Sequence, residues 1–299
     1  MRKYLIKIIL FFIAVVIIDI AFGFACRYLN THAKGGDTKN HYDIAMNMKA
    51  DVLLFGSSRC IHHYVPSIIK DTLEMSVYNC GVDGNGILYQ YSRLRMILNR
   101  YTPKVIVYDI CPEFDIENGD NSKYLGWQKR FYDVPGVNEV FEDINQMEKY
   151  KMFSQLYRYN SDFIQMLSDN VNPLQDVDGA GYKPKLGTMD YQPEQSDMNP
   201  TVKEWDPLKK KYFKKFYGLC KQNGIMLIIA YSPLYKANTS IEFNAITNFC
   251  HQNNILLIDN YHNPMFTEHR DYFADTRHMN DTGAQEYTKV FASEIRKLL

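Results

Sequence analysis

The sequence predicts an α/β protein: a central parallel sheet of about five strands covered by helices on both faces, behind an N-terminal transmembrane helix. Three observations predict it. Short, uninterrupted β-prone runs alternate with segments of helical periodicity. The first such run, Val52-Leu53-Leu54-Phe55, ends in Gly56-Ser57-Ser58, a small-residue turn at a strand's carboxyl end. One long apolar stretch stands at the N-terminus, apart from the alternation.

That stretch covers residues 4 to 26. Ile8 to Ile18 is unbroken hydrocarbon, Asp19 interrupts it, and Ile20 to Cys26 continues it. At about 1.5 Å per residue the segment can cross a hydrocarbon core of about 30 Å. Arg2, Lys3 and Lys7 precede its unbroken run, which favours a cytoplasmic N-terminus and a main domain outside the cytoplasm, periplasmic or extracellular. A cleaved signal peptide is the rival reading, with Gly23-Phe24-Ala25 as a small-x-small site. Cys26 raises the lipoprotein question, but Gly23 stands where a lipobox needs leucine. The anchor is assigned to residues 1–27.

Residues 28–50 read as a polar stem with Gly35-Gly36 and a short helix before Asp51. The main domain is assigned to 51–299. After the first strand, Pro66 opens a helix to about Glu74. Ser76 to Asn79 is the second strand, and Ile87 to Arg100 a helix with Leu88, Tyr91, Leu94, Ile97 and Leu98 on one face. Lys104 to Asp109 is the third strand. The alternation then stops for about ninety residues. It resumes with a helix capped by Asp206, with Pro207 in its first turn and its end near Gly224. Ile225 to Tyr231 is the fourth strand, Ile241 to Gln252 a helix, Ile255 to Asp259 the fifth strand, and Thr282 to Leu298 the last helix. The alternation looks like a flavodoxin-like three-layer sandwich.

The insertion, about 113–205, leaves the third strand on the edge where Ser58 is expected. It carries Tyr124, Trp127, Phe131, Tyr132, Phe153, Tyr157 and Tyr159. It can form a lid or substrate wall, a small core of its own, or both. Gly179 to Pro200 reads as loop.

With 34 basic and 34 acidic residues the formal net charge is zero, and no basic surplus points to nucleic acid. The six cysteines match no zinc spacing; buried free thiols are expected. His262, His269, Asp271, Asp275 and His278 also fit no metal-ligand spacing, so neither a metal nor another cofactor is expected.

A serine nucleophile needs a base, and the base needs an acid to fix its tautomer. Asp275-Thr276-Arg277-His278, ahead of the last helix, can supply both. His62 and His63 are rival bases, but they stand only four and five positions beyond Ser58, where reaching back is awkward. Arg59 is expected to pair within the protein.

These blocks together resemble the SGNH (GDSL-like) hydrolase family. The resemblance assigns the nucleophile to Ser58 and the acid and base to Asp275 and His278. It places the oxyanion donors at the backbone N–H groups of Ser58 and of Gly81, in Tyr78-Asn79-Cys80-Gly81-Val82-Asp83-Gly84. The family's third block is missing: Tyr108-Asp109-Ile110-Cys111-Pro112-Glu113 stands after the third strand instead. The resemblance implies a serine esterase or O-acyltransferase acting on acyl esters of envelope or surface glycans, and for some tethered members a multi-spanning membrane acyltransferase as partner. The alternative is a degenerate member that binds glycan or scaffolds a polysaccharide modification or export complex. The missing block favours this alternative, and the Ser58, Asp275 and His278 set opposes it.

Overall fold

The computed structural model describes residues 1–119, 121, 125–174, 177–191, 205–236 and 243–299. The chain forms two compact units. One comprises Met1–Asn47 with Asn121–Gln175, and the other Met48–Asp120 with Asp176–Leu299.

The second unit carries the sheet. Its strands are β1 (Val52–Gly56), β2 (Val77–Asn79), β3 (Val105–Asp109), β4 (Met226–Tyr231) and β5 (Leu256–Asp259). They pair in parallel in the order β2-β1-β3-β4-β5, the flavodoxin-like doubly wound order. Every residue of β1 and β3 is buried, which explains why both read as continuous apolar runs without alternation. Gly56 is level with Asp109 in the β1–β3 register, so the segments that leave these strands start from one edge.

Numbering the helices of the whole chain in order, α1 is Arg2–Thr31, α2 Gly36–Met46, α3 Ser58–His63, α4 Pro66–Leu73 and α5 Ile87–Leu98. Then come α6 (Pro112–Asp115), α7 (Asn138–Ile144), α8 (Glu148–Lys151), α9 (Gln155–Tyr159) and α10 (Phe163–Val171). The series closes with α11 (Pro207–Gln222), α12 (Asn244–Asn253), α13 (Pro264–Thr267) and α14 (Asp281–Arg296). Caps set several boundaries. The Asp206 carboxylate accepts the Lys209 N–H, and the Asn280 side chain accepts the Gly283 N–H. α4 stops at Glu74, which takes a left-handed φ of 56°. The expected helix from Ile241 begins at Asn244; residues 241 and 242 lie outside the described residues. Tyr64, Tyr287, Phe291 and Phe266 join the apolar strand residues in the core.

The first unit is helical. The residues expected as a polar stem form α2, whose Thr38, His41, Ile44 and Ala45 are buried. The Thr38 N–H donates to Asp169 of α10, and the His41 ring packs on Trp127 at 4.8 Å between centroids. Of the insertion aromatics, Phe131 and Tyr159 are buried in this unit, Phe153 is 80% exposed, and Tyr124 lies outside the described residues. Only the middle of the expected insertion belongs here. Residues 177–191 belong to the unit that carries the sheet.

Candidate active site

β1 delivers the chain to the site at Gly56, where φ is 150°. A Cβ there would lie 2.6 Å from the Asp109 carbonyl oxygen and 2.8 Å from the Cys60 Cβ, so the close approach of β3 and α3 requires glycine. Ser57 follows, fully buried, and α3 begins at Ser58, which is half-buried. The two adjacent serines therefore differ in environment: Ser58 reaches the surface, and Ser57 does not.

Asp275 and His278 sit on a loop closed by an antiparallel bridge between Phe273 and Met279. The Ala274 N–H donates to the His278 carbonyl at 3.0 Å. The Asp275 Oδ1 accepts the backbone N–H groups of Arg277 and His278, each at 2.9 Å. This turn orients both side chains. His278 Nδ1 lies 2.9 Å from Asp275 Oδ1 and 3.0 Å from Oδ2. Its Nε2 lies 2.8 Å from Ser58 Oγ. The network assigns the tautomer: Nδ1–H donates to the carboxylate, which leaves the Nε2 lone pair to accept the serine hydroxyl.

Burial works against a charged His278 and outweighs the Asp275 contacts that favour one, so the imidazole is held below its ordinary 6.5. Burial alone would raise the Asp275 pKa. The His278 hydrogen bond and charge, the Arg277 N–H and Lys185 reverse this and hold the carboxyl well below the usual carboxylate range. The pair at neutral pH is a neutral imidazole beside a carboxylate. That is a proton acceptor aimed at a hydroxyl.

The rival histidines have other partners. His62 Nδ1 lies 2.6 Å from the Lys183 carbonyl oxygen and its Nε2 3.1 Å from Asp83 Oδ1. His63 is fully buried, and its Nε2 accepts the Met279 N–H at 3.0 Å. Burial first, then the charge of His278, pushes His63 well below its ordinary pKa and keeps it a neutral acceptor. Arg59 is 1% exposed; it donates to the Ile110 carbonyl and stacks on Tyr261 at 5.3 Å. Its partners are thus internal, a carbonyl and a ring, and its charge favours the carboxylate form of the buried Asp109.

Gly81 requires a correction. Its N–H donates to Asn79 Oδ1 at 2.9 Å and is buried, so it is not free to hold an oxyanion. The Cys80 N–H goes to the Leu54 carbonyl, that of Val82 to Gly56, and that of Asn85 to Val82. Among the described residues this leaves the N–H groups of Asp83 and Gly84 in that turn without a protein acceptor. Gly84 has φ of 67°. The Ser58 N–H, in the first turn of α3, likewise has no protein acceptor.

Sequence reasoning missed residues 177–191. Lys185 Nζ lies 3.2 Å from Asp275 Oδ2, the Lys185 carbonyl accepts the Asp281 N–H, and the Lys183 N–H donates to Ile61. The segment read as loop, and Lys183 and Lys185, set between Asp178 and Asp190, gave no pattern that pointed to the site. In place of the missing third block, Glu113 lies 3.0 Å from Arg277 on the His278 loop. All six cysteines are buried free thiols, as expected. Among the described residues, no group of three or more His, Cys, Asp or Glu side chains is arranged to hold a metal ion.

No family model and no curated protein matches the chain. Solved structures do. A GDSL-like lipase from Bacteroides thetaiotaomicron VPI-5482 matches at 13% identity over 83% of this chain and 88% of that one, with a TM-score of 0.40. A structure described as a lipolytic protein of the G-D-S-L family, from Desulfitobacterium hafniense DCB-2, matches at 11% identity over 83% of this chain and 98% of that one, also at 0.40. At these identities and scores the likeness decides neither activity nor substrate.

Proposed function

We propose that the chain is a membrane-tethered serine esterase or O-acyltransferase of the SGNH type, acting outside the cytoplasm on acyl esters of envelope or surface glycans. One observation carries the reading: His278 stands between Ser58 Oγ at 2.8 Å and Asp275 at 2.9 Å, with a lone pair on the serine side. His278 takes the Ser58 proton as Oγ attacks an ester carbonyl. Asp275 steadies the imidazolium, which returns the proton to the leaving alcohol. The Ser58 N–H and one N–H of the Asp83–Gly84 turn receive the oxyanion. Water as the second substrate completes hydrolysis, and a sugar hydroxyl completes transfer. The glycan is the substrate class implied by the resemblance for tethered members.

Retention of α1 is supported by what cleavage after Ala25 would remove. Asp19 accepts the Ser154 hydroxyl and the N–H groups of Gln155 and Leu156, and these three donors would lose their acceptor. The basic residues at the start of α1, ahead of its unbroken apolar run, favour an outward-facing catalytic unit.

Fluorophosphonate treatment of the full-length protein in detergent, followed by peptide mass spectrometry, tests the reading. The adduct is expected on Ser58, and no adduct on any serine would overturn it. The second reading, a degenerate glycan-binding or scaffolding member, draws on the engaged Gly81 N–H and the missing third block. It requires that no adduct form and that a glycan still bind.

A further inference from the structure

We propose that the first unit is seated in the membrane boundary: Phe153, Leu156 and Ile164, beside α1, enter the headgroup–acyl region of a lipid bilayer. The proposal rests on α1 being a retained transmembrane anchor.

The argument begins with length. Upstream of Asp19, the part of α1 available to the membrane runs at most from Tyr4 to Ile18, with Lys7 inside it. These fifteen residues span about 22 Å at roughly 1.5 Å each. A hydrocarbon core needs about 30 Å, or roughly twenty residues. The shortfall falls on Ile20 to Ala25, so this part of α1 is also drawn to membrane depth.

Along that part, α1 is not bare. Asp19 meets the start of α9 through three hydrogen bonds of 2.8–2.9 Å. A Cβ on Gly23 would lie 2.5 Å from Gln155 Cγ, so α9 lies directly on the helix there. The Phe22 and Phe163 rings stand 5.2 Å apart at the start of α10, and Asn170 near its end donates to the Leu29 carbonyl. α10 therefore runs alongside α1 in the same direction, with its first turn nearest the apolar end. The first turns of α9 and α10 share the level of Asp19 to Gly23.

The side chains that face outward at this level include three large apolar ones, with Gln165 of α10 the exposed polar neighbour. Phe153 is 80% exposed, Ile164 72% and Leu156 41%, at the level where Ile20 and Phe24 of α1 are themselves exposed. A water-facing surface would carry polar groups at these three positions as well. The occupant that fits is the one covering the rest of α1. The same arrangement accounts for a carboxylate in the middle of an apolar helix: the charge is satisfied by the start of α9 and never meets lipid unpaired.

The test places nitroxide labels on the full-length protein in phosphatidylcholine–phosphatidylglycerol liposomes. Single labelled cysteines replace Phe153, Ile164, Ile13 as the intramembrane reference, and exposed Lys289 as the water reference. The wild type, with its six buried cysteines, is the blank. Oxygen and nickel-chelate accessibilities are expected to place the labels at 153 and 164 about 5–10 Å below the phosphates. If 153 and 164 match the water reference while 13 reads lipid, the collar falls and the anchor stands. If 13 also reads water, the anchor reading falls and takes the proposal with it. Circular dichroism checks that each variant is folded.

Discussion

The Met279 N–H donates to His63 Nε2 at 3.0 Å. The residue directly after His278 is thus held by an imidazole five positions beyond Ser58. The helix that presents the proposed nucleophile and the loop that presents the proposed base are locked to each other by this bond. His63 is close to the chemistry without facing it. It works through geometry, as an acceptor kept neutral by burial.

That bond yields the first prediction. His63→Phe removes the acceptor and leaves a buried N–H unpaired, a cost of about 1–3 kcal/mol. Turnover of a short acyl ester is expected to fall about tenfold or more through misplacement of His278. His63→Gln, which can still accept, should recover part of the rate. Equal loss in both variants would show that the acceptor is not what matters.

Ser58→Ala is expected to abolish the fluorophosphonate adduct and lower turnover by about 10³-fold or more, as loss of a triad nucleophile does. Ser57→Ala should retain both, because Ser57 is fully buried and Ser58 is not. An adduct that survives Ser58→Ala reverses the assignment.

His278 must be neutral to accept the Ser58 proton, and burial lowers its pKa. The acid limb of kcat/KM is therefore expected below pH 6.5, with activity lost as pH falls through the folded pKa. Lys185 disfavours the imidazolium, so Lys185→Met should move that limb upward. The Lys185–Asp275 pair is about one-third exposed on each side, so stability should change by under about 1 kcal/mol. A downward shift of the limb would contradict this role for the lysine.

The same histidines set a pH dependence of stability. His63 and His278 have folded pKa values below the ordinary 6.5. Below pH 6.5 the unfolded chain therefore takes up protons that the folded chain refuses. Stability is expected to fall as pH drops from about 6.5, by up to about 1.4 kcal/mol per pH unit for each group. Urea midpoints at pH 7 and pH 5 measure it, and His63→Gln should flatten the slope. A midpoint higher at pH 5 would show that other groups dominate.

A last prediction concerns the first unit. Gly23→Val places a branched side chain where a single Cβ would already lie 2.7 Å from the Gln155 Cβ. α9 should separate from α1, exposing residues 145–175 to limited proteolysis, while the α/β unit keeps its protease resistance. Unchanged cleavage in this region would mean that the contact yields without cost.

The sequence by itself determined the sheet. Five short apolar runs alternating with helical segments read as parallel strands, the fully buried β1 and β3 most plainly, and Pro66, Pro207, Asp206 and the last helix announced their own boundaries by local chemistry. The resemblance carried by two local patterns, a small-residue turn at a strand end and an Asp-x-x-His loop, singled out Ser58, Asp275 and His278, which the fold brings within hydrogen-bond reach. Tertiary structure alone decided the rest. The Gly81 N–H was spent on Asn79, two residues away, a choice that depends on how the turn closes. The stem and the middle of the insertion, separated by more than seventy residues, share one helical unit through contacts such as Thr38 with Asp169. Lys185 reached Asp275 from a stretch with no periodicity. Periodicity reports which face of an element is buried, but not which distant segment buries it.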